Sequence, residues 1–426
     1  MLSARALTIA RRGLATAVSS SSEGGVKVAS VDFGQPTSAV TVLVKAGSRF
    51  QNKAGLANVL KNFAFKSTAK RSALGTVREA ELYGGLLSAS LDREHLALTA
   101  EFLRGDEAFF VDVLSSFITS ARFTRHEFEE YVNPQVTSDT EVASSNPTIR
   151  ALEAAHALAF RSGLGSSLFA PMHNDIDIDQ IKEYAASTFA KGNIAVIGTN
   201  IDSMTLTKLV DASFANSNTT AEGTATPASK YFGGENRLEA TSEGPQTVFI
   251  GFGTTSNTSS SEIATLAAHL NAQPSIKWAK GLSPVAQAIP EGTSVQSVYF
   301  PYSDASLFGL LVQGESVEGV RDAAKVAVEA LKKAGKGLSE SELKSAVAKA
   351  KFAAASKVEK REGLVDVLGS KIFSGADASF ESTVAAFDKV TASSFTRAVS
   401  ALTSAKPTFV VVGDTMKLPY ADELGL

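Results

Sequence analysis

The sequence predicts a mixed α/β (α+β) fold made of two homologous halves, each a mixed β-sheet covered on one side by helices. Three observations predict it. An apolar run ending in glycine, "AVTVLVKAGSRF", opens near residue 40, and a second, "TVFIGFGTTS", opens near residue 247. Two further runs close the halves, "NIAVIGTNIDSMTLTKLV" and "TFVVVGDTMKLPYADEL", with Val42 to Ile194 spanning 152 residues and Val248 to Phe409 spanning 161. Between opening and closing runs, both middles carry apolar residues at helical spacing. Two resemblances in the same order read as a duplicated unit, and strands with helices in each half call for a sheet with helices packed on it.

In chain order, the first element is a leader. "MLSARALTIARRGLATAVSSSS" carries Arg5, Arg11 and Arg12, is rich in Ser and Ala, and has no acidic residue before Glu23. Leu2, Ala6 and Ile9 share one side of a helical wheel. A basic, Ser-rich, acid-poor amphipathic segment is the composition of a mitochondrial transit peptide, so residues 1–22 are set apart, with removal expected between Gly13 and Ser22. Residues 23–214 form the first half. Its opening strand leads into "GLANVLKNFAFKSTAKRS", where Leu56, Val59, Leu60 and Phe63 recur at spacings of three and four and predict a helix. The closing strand turns at Gly198. "ANSNTTAEGTATPASKYFGG", residues 215–234, is dominated by small polar residues, cannot bury much apolar surface, and reads as a linker.

The second half is residues 235–426. "SSEIATLAAHLNAQ" predicts a helix with Ile263, Leu266, Ala267 and Leu270 on one stripe. "SVQSVYFPYSDASLFGLLVQG" predicts two strands around a turn at Tyr302–Ala305. "GVRDAAKVAVEALKKAGKG" predicts a helix stopped by Gly335 and Gly337, and Ser339 with Glu342 forms a capping-box pattern at the next helix. The last strand turns at Gly413. The glycines of "GGEN" (Gly233) and "GFGTT" (Gly251) lack the lysine and following helix of a phosphate-cradling loop and read as turn glycines.

Composition excludes several function classes. The 426-residue chain is 44% hydrophobic and 20% charged with a net charge of −3, which is ordinary for a globular protein and argues against a nucleic-acid surface. No apolar run reaches the length of a membrane span. There is no cysteine, so disulfides, iron–sulfur ligation and thiolate zinc sites are excluded. The five histidines, His95, His126, His156, His173 and His269, include no pair at i+3 or i+4, and core or surface roles suit them better than ligation.

Candidate site residues come from the first-half helix. Asn58, Lys61 and Asn62 lie opposite its apolar side at i, i+3 and i+4, the spacing of the inverted H-x-x-E-H zinc motif. As a bare pattern they are a solvated face. The residues that follow change the weighting: "FAFKSTAKRS", the E-x-E stretch Glu79–Glu81, the "GGLLSAS" turn at Gly84–Ser90, and "REH" at Arg93–His95. Together these resemble the M16 metallopeptidase family, in particular its mitochondrial processing peptidase subunits. In the second half, "SIKWAKGLSPVAQAI" and "YFPYSDASLFGLLV" are similar to the core-protein branch of that family, found in the mitochondrial cytochrome bc1 complex.

The resemblance places Asn58 and Asn62 where active relatives carry histidines, and Lys61 where they carry the base glutamate. The third ligand would fall near Ser138–Asp139, with Asp139 and Glu141 the nearest carboxylates. Zinc of this kind needs two imidazoles, a carboxylate and a water. A neutral amide is a poor ligand, and an ammonium 4–5 Å from a divalent ion would repel it by roughly 6–8 kcal/mol. A protonated lysine also cannot take the proton that the glutamate takes from water. The resemblance therefore implies no catalytic residue, no metal, no cofactor, and a degenerate motif at Asn58, Lys61 and Asn62.

For function, the resemblance implies a structural core subunit of the mitochondrial ubiquinol–cytochrome c reductase (complex III). It would lie on the matrix side of the inner membrane, peripheral to it. Its implied partners are a core protein 1 homologue, cytochrome b, cytochrome c1, the Rieske protein and small subunits. The alternative is the substrate-recognising, non-catalytic subunit of a processing peptidase. That subunit bears a long glycine-rich loop, whereas the corresponding "AAHLNAQPSIKWAKGLSPVA" has the single glycine Gly281. An autonomous peptidase is a third reading, and it predicts bound zinc.

Overall fold

The computed structural model describes residues 18–21, 25–173, 175–215, 227–240, 244–255, 260–273, 283–375 and 380–426. Most of the leader (residues 1–17 and 22), much of the linker (216–226) and the "IKWAKG" stretch lie outside the described residues.

The first half contains β1 (Val18–Ser21), β2 (Lys27–Val31), β3 (Thr37–Val44), β4 (Leu86–Leu91), β5 (Leu96–Leu103) and β6 (Ile194–Thr199). Its helices are α1 (Leu56–Asn62), α2 (Ala73–Leu82), α3 (Glu107–Ser120), α4 (Arg125–Glu127), α5 (Asn133–Ser145), α6 (Pro147–Phe160), α7 (Ile178–Thr188) and α8 (Ser203–Phe214). The second half contains β7 (Gly234–Glu239), β8 (Gln246–Thr254), β9 (Thr293–Pro301), β10 (Ser306–Gly314) and β11 (Thr408–Gly413). Its helices are α9 (Ser261–Leu270), α10 (Pro284–Ala288), α11 (Val317–Gly335), α12 (Glu340–Glu359), α13 (Arg361–Ser374), α14 (Phe380–Asp388) and α15 (Ala392–Thr403).

The two sheets share one topology. Their strand orders are β1-β2-β6-β3-β5-β4 and β7-β11-β8-β10-β9. In each, the opening strand pairs antiparallel with the closing strand, Val42 opposite Val196 and Val248 opposite Val411. The closing strand pairs parallel with a short outer strand, β2 or β7. Only the edge strand β1, drawn from the leader region, has no counterpart. Gly198 and Gly251 lie within β6 and β8 rather than at turns. The expected Ser339–Glu342 capping box and the β9–β10 hairpin around Tyr302–Ala305 are both present.

Helices cover both faces of each sheet, not one as expected from sequence. On the first, Val40, Val42, Leu98 and Val196 face a core closed by α1, α3, α5, α7 and α8. The opposite face, with Ala29, Leu43, Ala195 and Ile197, packs against Leu364, Val365, Leu368 and Ile372 of α13, a helix from the second half. The exchange is mutual. Val248, Ile250, Val411 and the second half's own helices make one core, while Phe249, Leu311, Val410 and Val412 receive Ala151, Ala155, Ala159 and Phe160 of α6, from the first half. Burial on both faces is why the closing strands read as unbroken apolar runs without alternation. Close approach uses small residues: a Cβ at Gly369 of α13 would lie 2.4 Å from Leu43 Cδ1.

The described end of the linker is ordered against expectation. Ser229 donates through its amide and hydroxyl to Asp304, the Phe232 amide donates to the Ala159 carbonyl, and the Tyr231 hydroxyl donates to the Lys406 carbonyl. Two aromatic residues and a carboxylate partner supply what the small polar stretch before them lacks.

Candidate functional site

The site is built on α1. Its start is fixed by Gly55, whose φ of +94° suits glycine, and whose Cβ, if present, would sit 2.7 Å from that of Ala170. Leu56, Val59, Leu60 and Phe63 are all buried, as their spacing predicts. The polar side is largely covered, with Lys61 and Asn62 half-buried. Asn58 is only 3% exposed, because α5 and β4 pack over that side of the helix and roof it. Between them lies a cavity of about 380 Å³, with Asn58 and Lys61 on one wall, Ala89 to Leu91 of β4 on another, and Gln135, Asp139 and Val142 of α5 on a third. A π-helical turn at Phe128–Val132 feeds into α5.

The residues singled out from sequence come together here, with Asp139 at the centre. Lys61 Nζ lies 2.9 Å from Asp139 Oδ2, and both side chains are about one-fifth exposed (23% and 19%). Asn62 Nδ2 donates to the same oxygen at 3.1 Å and to the carbonyl and side-chain oxygens of Asn58 at 3.1 and 3.3 Å. Gln135 Nε2 donates to Asp139 Oδ1 at 3.0 Å. Burial alone would raise the Asp139 pKa. Hydrogen bonds from Lys61, Gln135 and Asn62 and the Lys61 charge outweigh it and hold the carboxyl below its ordinary value. Glu141, the other candidate, is exposed. Gln135 was not anticipated, although its i, i+4 relation to Asp139 is a sequence-visible signal.

Chemically, this cluster is one carboxylate already neutralised by an ammonium and bound by two amides. Zinc asks for imidazoles and an unclaimed carboxylate, so the donor set does not fit the metal. Among the described residues, no group of three His, Cys, Asp or Glu side chains is placed to hold an ion.

The other motif residues serve packing. Glu79 accepts from Arg71 at 2.8 Å, and Arg71 also reaches Asp112. Arg93 and Glu94 are buried at the seam between the halves, and His95 stacks on Phe373 of α13 with ring centroids 5.1 Å apart. His156 and His269 are buried, whereas His126 and His173 are exposed. No helix among the described residues is long and apolar enough to cross a membrane.

Comparison with known proteins agrees with this architecture. Residues 27–172 match the family described as Insulinase (Peptidase family M16). The chain is 43% identical over 416 residues to the mitochondrial cytochrome b-c1 complex subunit 2 of Cryptococcus neoformans var. grubii, covering 96% of this chain and 94% of that protein. It is 35% identical over 419 residues to the subunit of the same name from Yarrowia lipolytica, covering 98% of each. The crystal structure of a protease from Helicobacter pylori superposes with a TM-score of 0.83 at 16% identity, over 94% of this chain and all of that one, a likeness of fold alone. With near-complete coverage at such identity, the chain belongs to the cytochrome b-c1 complex subunit 2 family, within the M16 peptidase fold.

Proposed function

We propose that this chain is a non-catalytic core subunit of mitochondrial ubiquinol–cytochrome c reductase, acting in the assembly and stability of that complex. The observation that carries the reading is full-length likeness to relatives named as subunit 2 of the cytochrome b-c1 complex. The alternative, a substrate-recognising subunit of a processing peptidase, is not favoured, since these relatives are named for the respiratory complex.

The finer parts of the reading rest on geometry and resemblance together. The zinc motif has been lost at Asn58, Lys61 and Asn62, and the Lys61–Asp139 pair supports this, because the ammonium takes the carboxylate a metal would need. The two halves, 23–214 and 235–426, descend from one unit, which their common strand order supports. The direct partners are a core protein 1 homologue, cytochrome b and cytochrome c1, with the Rieske protein and small subunits in the same assembly. The chain sits peripherally on the matrix side of the inner membrane. Such an assembly works by burying large obligate interfaces, typically ~2,000 Å² or more.

Affinity purification of the native protein, with identification of what comes with it, tests the proposal. Recovery with cytochrome b and cytochrome c1 is expected. Recovery solely with a zinc-bearing peptidase subunit would overturn it.

A further inference from the structure

The two halves meet through buried charge. Arg49, whose side chain is 5% exposed, binds Glu94 Oε1 at 2.7 Å on its own half. It also reaches across the seam to both oxygens of Asp304, at 2.7 and 2.6 Å. The neighbouring Ser303 donates its amide and hydroxyl back to Glu94 at 3.0 and 2.6 Å. Tyr302, on the same turn, lies 2.7 Å from His156 Nε2 of α6. Arg49, Glu94, Asp304 and Tyr302 each have at least one partner on the other half.

A second clasp holds α13 against the first sheet. Lys27 Nζ donates to the carbonyls of Ile372 and Phe373 at the helix C-terminus, at 3.0 and 3.4 Å. Arg361, near its N-terminus, pairs with Glu101 of β5.

We propose that the Tyr302–Asp304 turn is a latch that locks the two halves into one block, so that the subunit meets its neighbours with no hinge between its halves. The physical reason is that opening has no cheap first step. Moving the turn outward parts Asp304 from the Arg49 guanidinium and Glu94 from both Ser303 donors at once, and taking one partner away from a buried charge network is strongly unfavourable. It also slides α6 and α13 off the apolar sheet faces that they cover. Hinge motion ordinarily needs a few residues that absorb a backbone rotation while packing stays intact. Here the described end of the connecting segment is itself held, since Ser229 donates its amide to Asp304 at 2.8 Å.

The absence of cysteine allows clean double labelling. Spin labels at S187C on α7 and S341C on α12, both exposed, report the distance between halves by pulsed electron paramagnetic resonance in the full chain. A single narrow distribution is expected, and a broad or two-peaked one overturns the latch. Asp304→Ala is then compared with the parent by amide hydrogen exchange. The Ser229 and Ser303 amides should exchange about tenfold faster or more, as for loss of a charge-assisted hydrogen bond, and the label distribution should widen. The core amides of Val196 and Val411 distinguish latch opening from general loss of stability. Seam amides that keep their parent rate, or that speed up only in step with those two, refute the proposal.

Discussion

His156 makes stability depend on pH in a calculable way. It is 2% exposed on α6, with Nδ1 2.7 Å from the Leu152 carbonyl and Nε2 2.7 Å from the Tyr302 hydroxyl. A carbonyl can only accept, so Nδ1 carries the proton and Nε2 accepts from the tyrosine. Burial first, then the nearby Arg93 charge, lower the imidazole pKa from 6.5 to about 3. Because the folded value is depressed, this neutral ring supports the fold fully above the unfolded value of 6.5 and loses that support as pH falls toward 3. At about pH 5 only the unfolded chain takes up the proton, and RT ln(1 + 10^1.5) gives a cost of about 2 kcal/mol. Guanidinium unfolding of the parent and of His156→Gln, at about pH 8 and about pH 5, measures it. Glutamine leaves an acceptor for Tyr302 but cannot titrate. The variant is less stable at both pH values, and its loss between them is smaller than the parent's by about 2 kcal/mol. Equal losses in the two proteins would mean that His156 is not held neutral, and the reasoning would fail.

Other expectations follow from the same geometry. Lys61→Ala removes the main cation on Asp139, and because the pair is partly exposed the loss is about 1 kcal/mol by chemical denaturation. The depressed Asp139 carboxyl contributes stability above its unfolded value and loses it as pH falls into the acid range, so the difference between Lys61→Ala and parent narrows toward pH 3 and below. The triple variant N58H/K61E/N62H, which leaves Asp139 as a third ligand, is expected to bind about one zinc per chain by elemental analysis, while the parent binds none; a metal-free triple variant would count against the degenerate-motif reading. Gly369→Ala forces a methyl against Leu43 Cδ1 and should lower stability by about 1–3 kcal/mol by chemical denaturation.

The parts of this fold that were legible in sequence depend on local rules. The core side of α1 follows from residue spacing, the start of α12 from Ser339 and Glu342, and the closing strands from their apolar runs. What escaped depends on distant pairing. Leu364, Val365, Leu368 and Ile372 announce a helix, but nothing local says that it will cover the other half's sheet. Charged residues such as Arg49, Arg93 and Glu94 are seldom buried, so their place in the interior has no local signal, and partners lie up to 255 positions away, as with Arg49 and Asp304. The polar side of α1 read as solvated for the same reason: its roof comes from α5, and Lys61 meets Asp139 across 78 residues of chain. At the described end of the linker, two aromatic residues among the small polar ones, Tyr231 and Phe232, make contacts that composition alone does not announce.

The mutual loan of α6 and α13 bears on how the chain is made. A ribosome that has released only the first half has produced a sheet with one bare apolar side and a spare helix with nothing to cover. The bare sheet waits for α13, complete at residue 374, and the spare helix gains the last of its sheet only with Val410 and Val412, so early intermediates expose sticky surface for most of synthesis. Cutting the chain at the connecting segment should therefore yield two insoluble fragments, which regain solubility when refolded together.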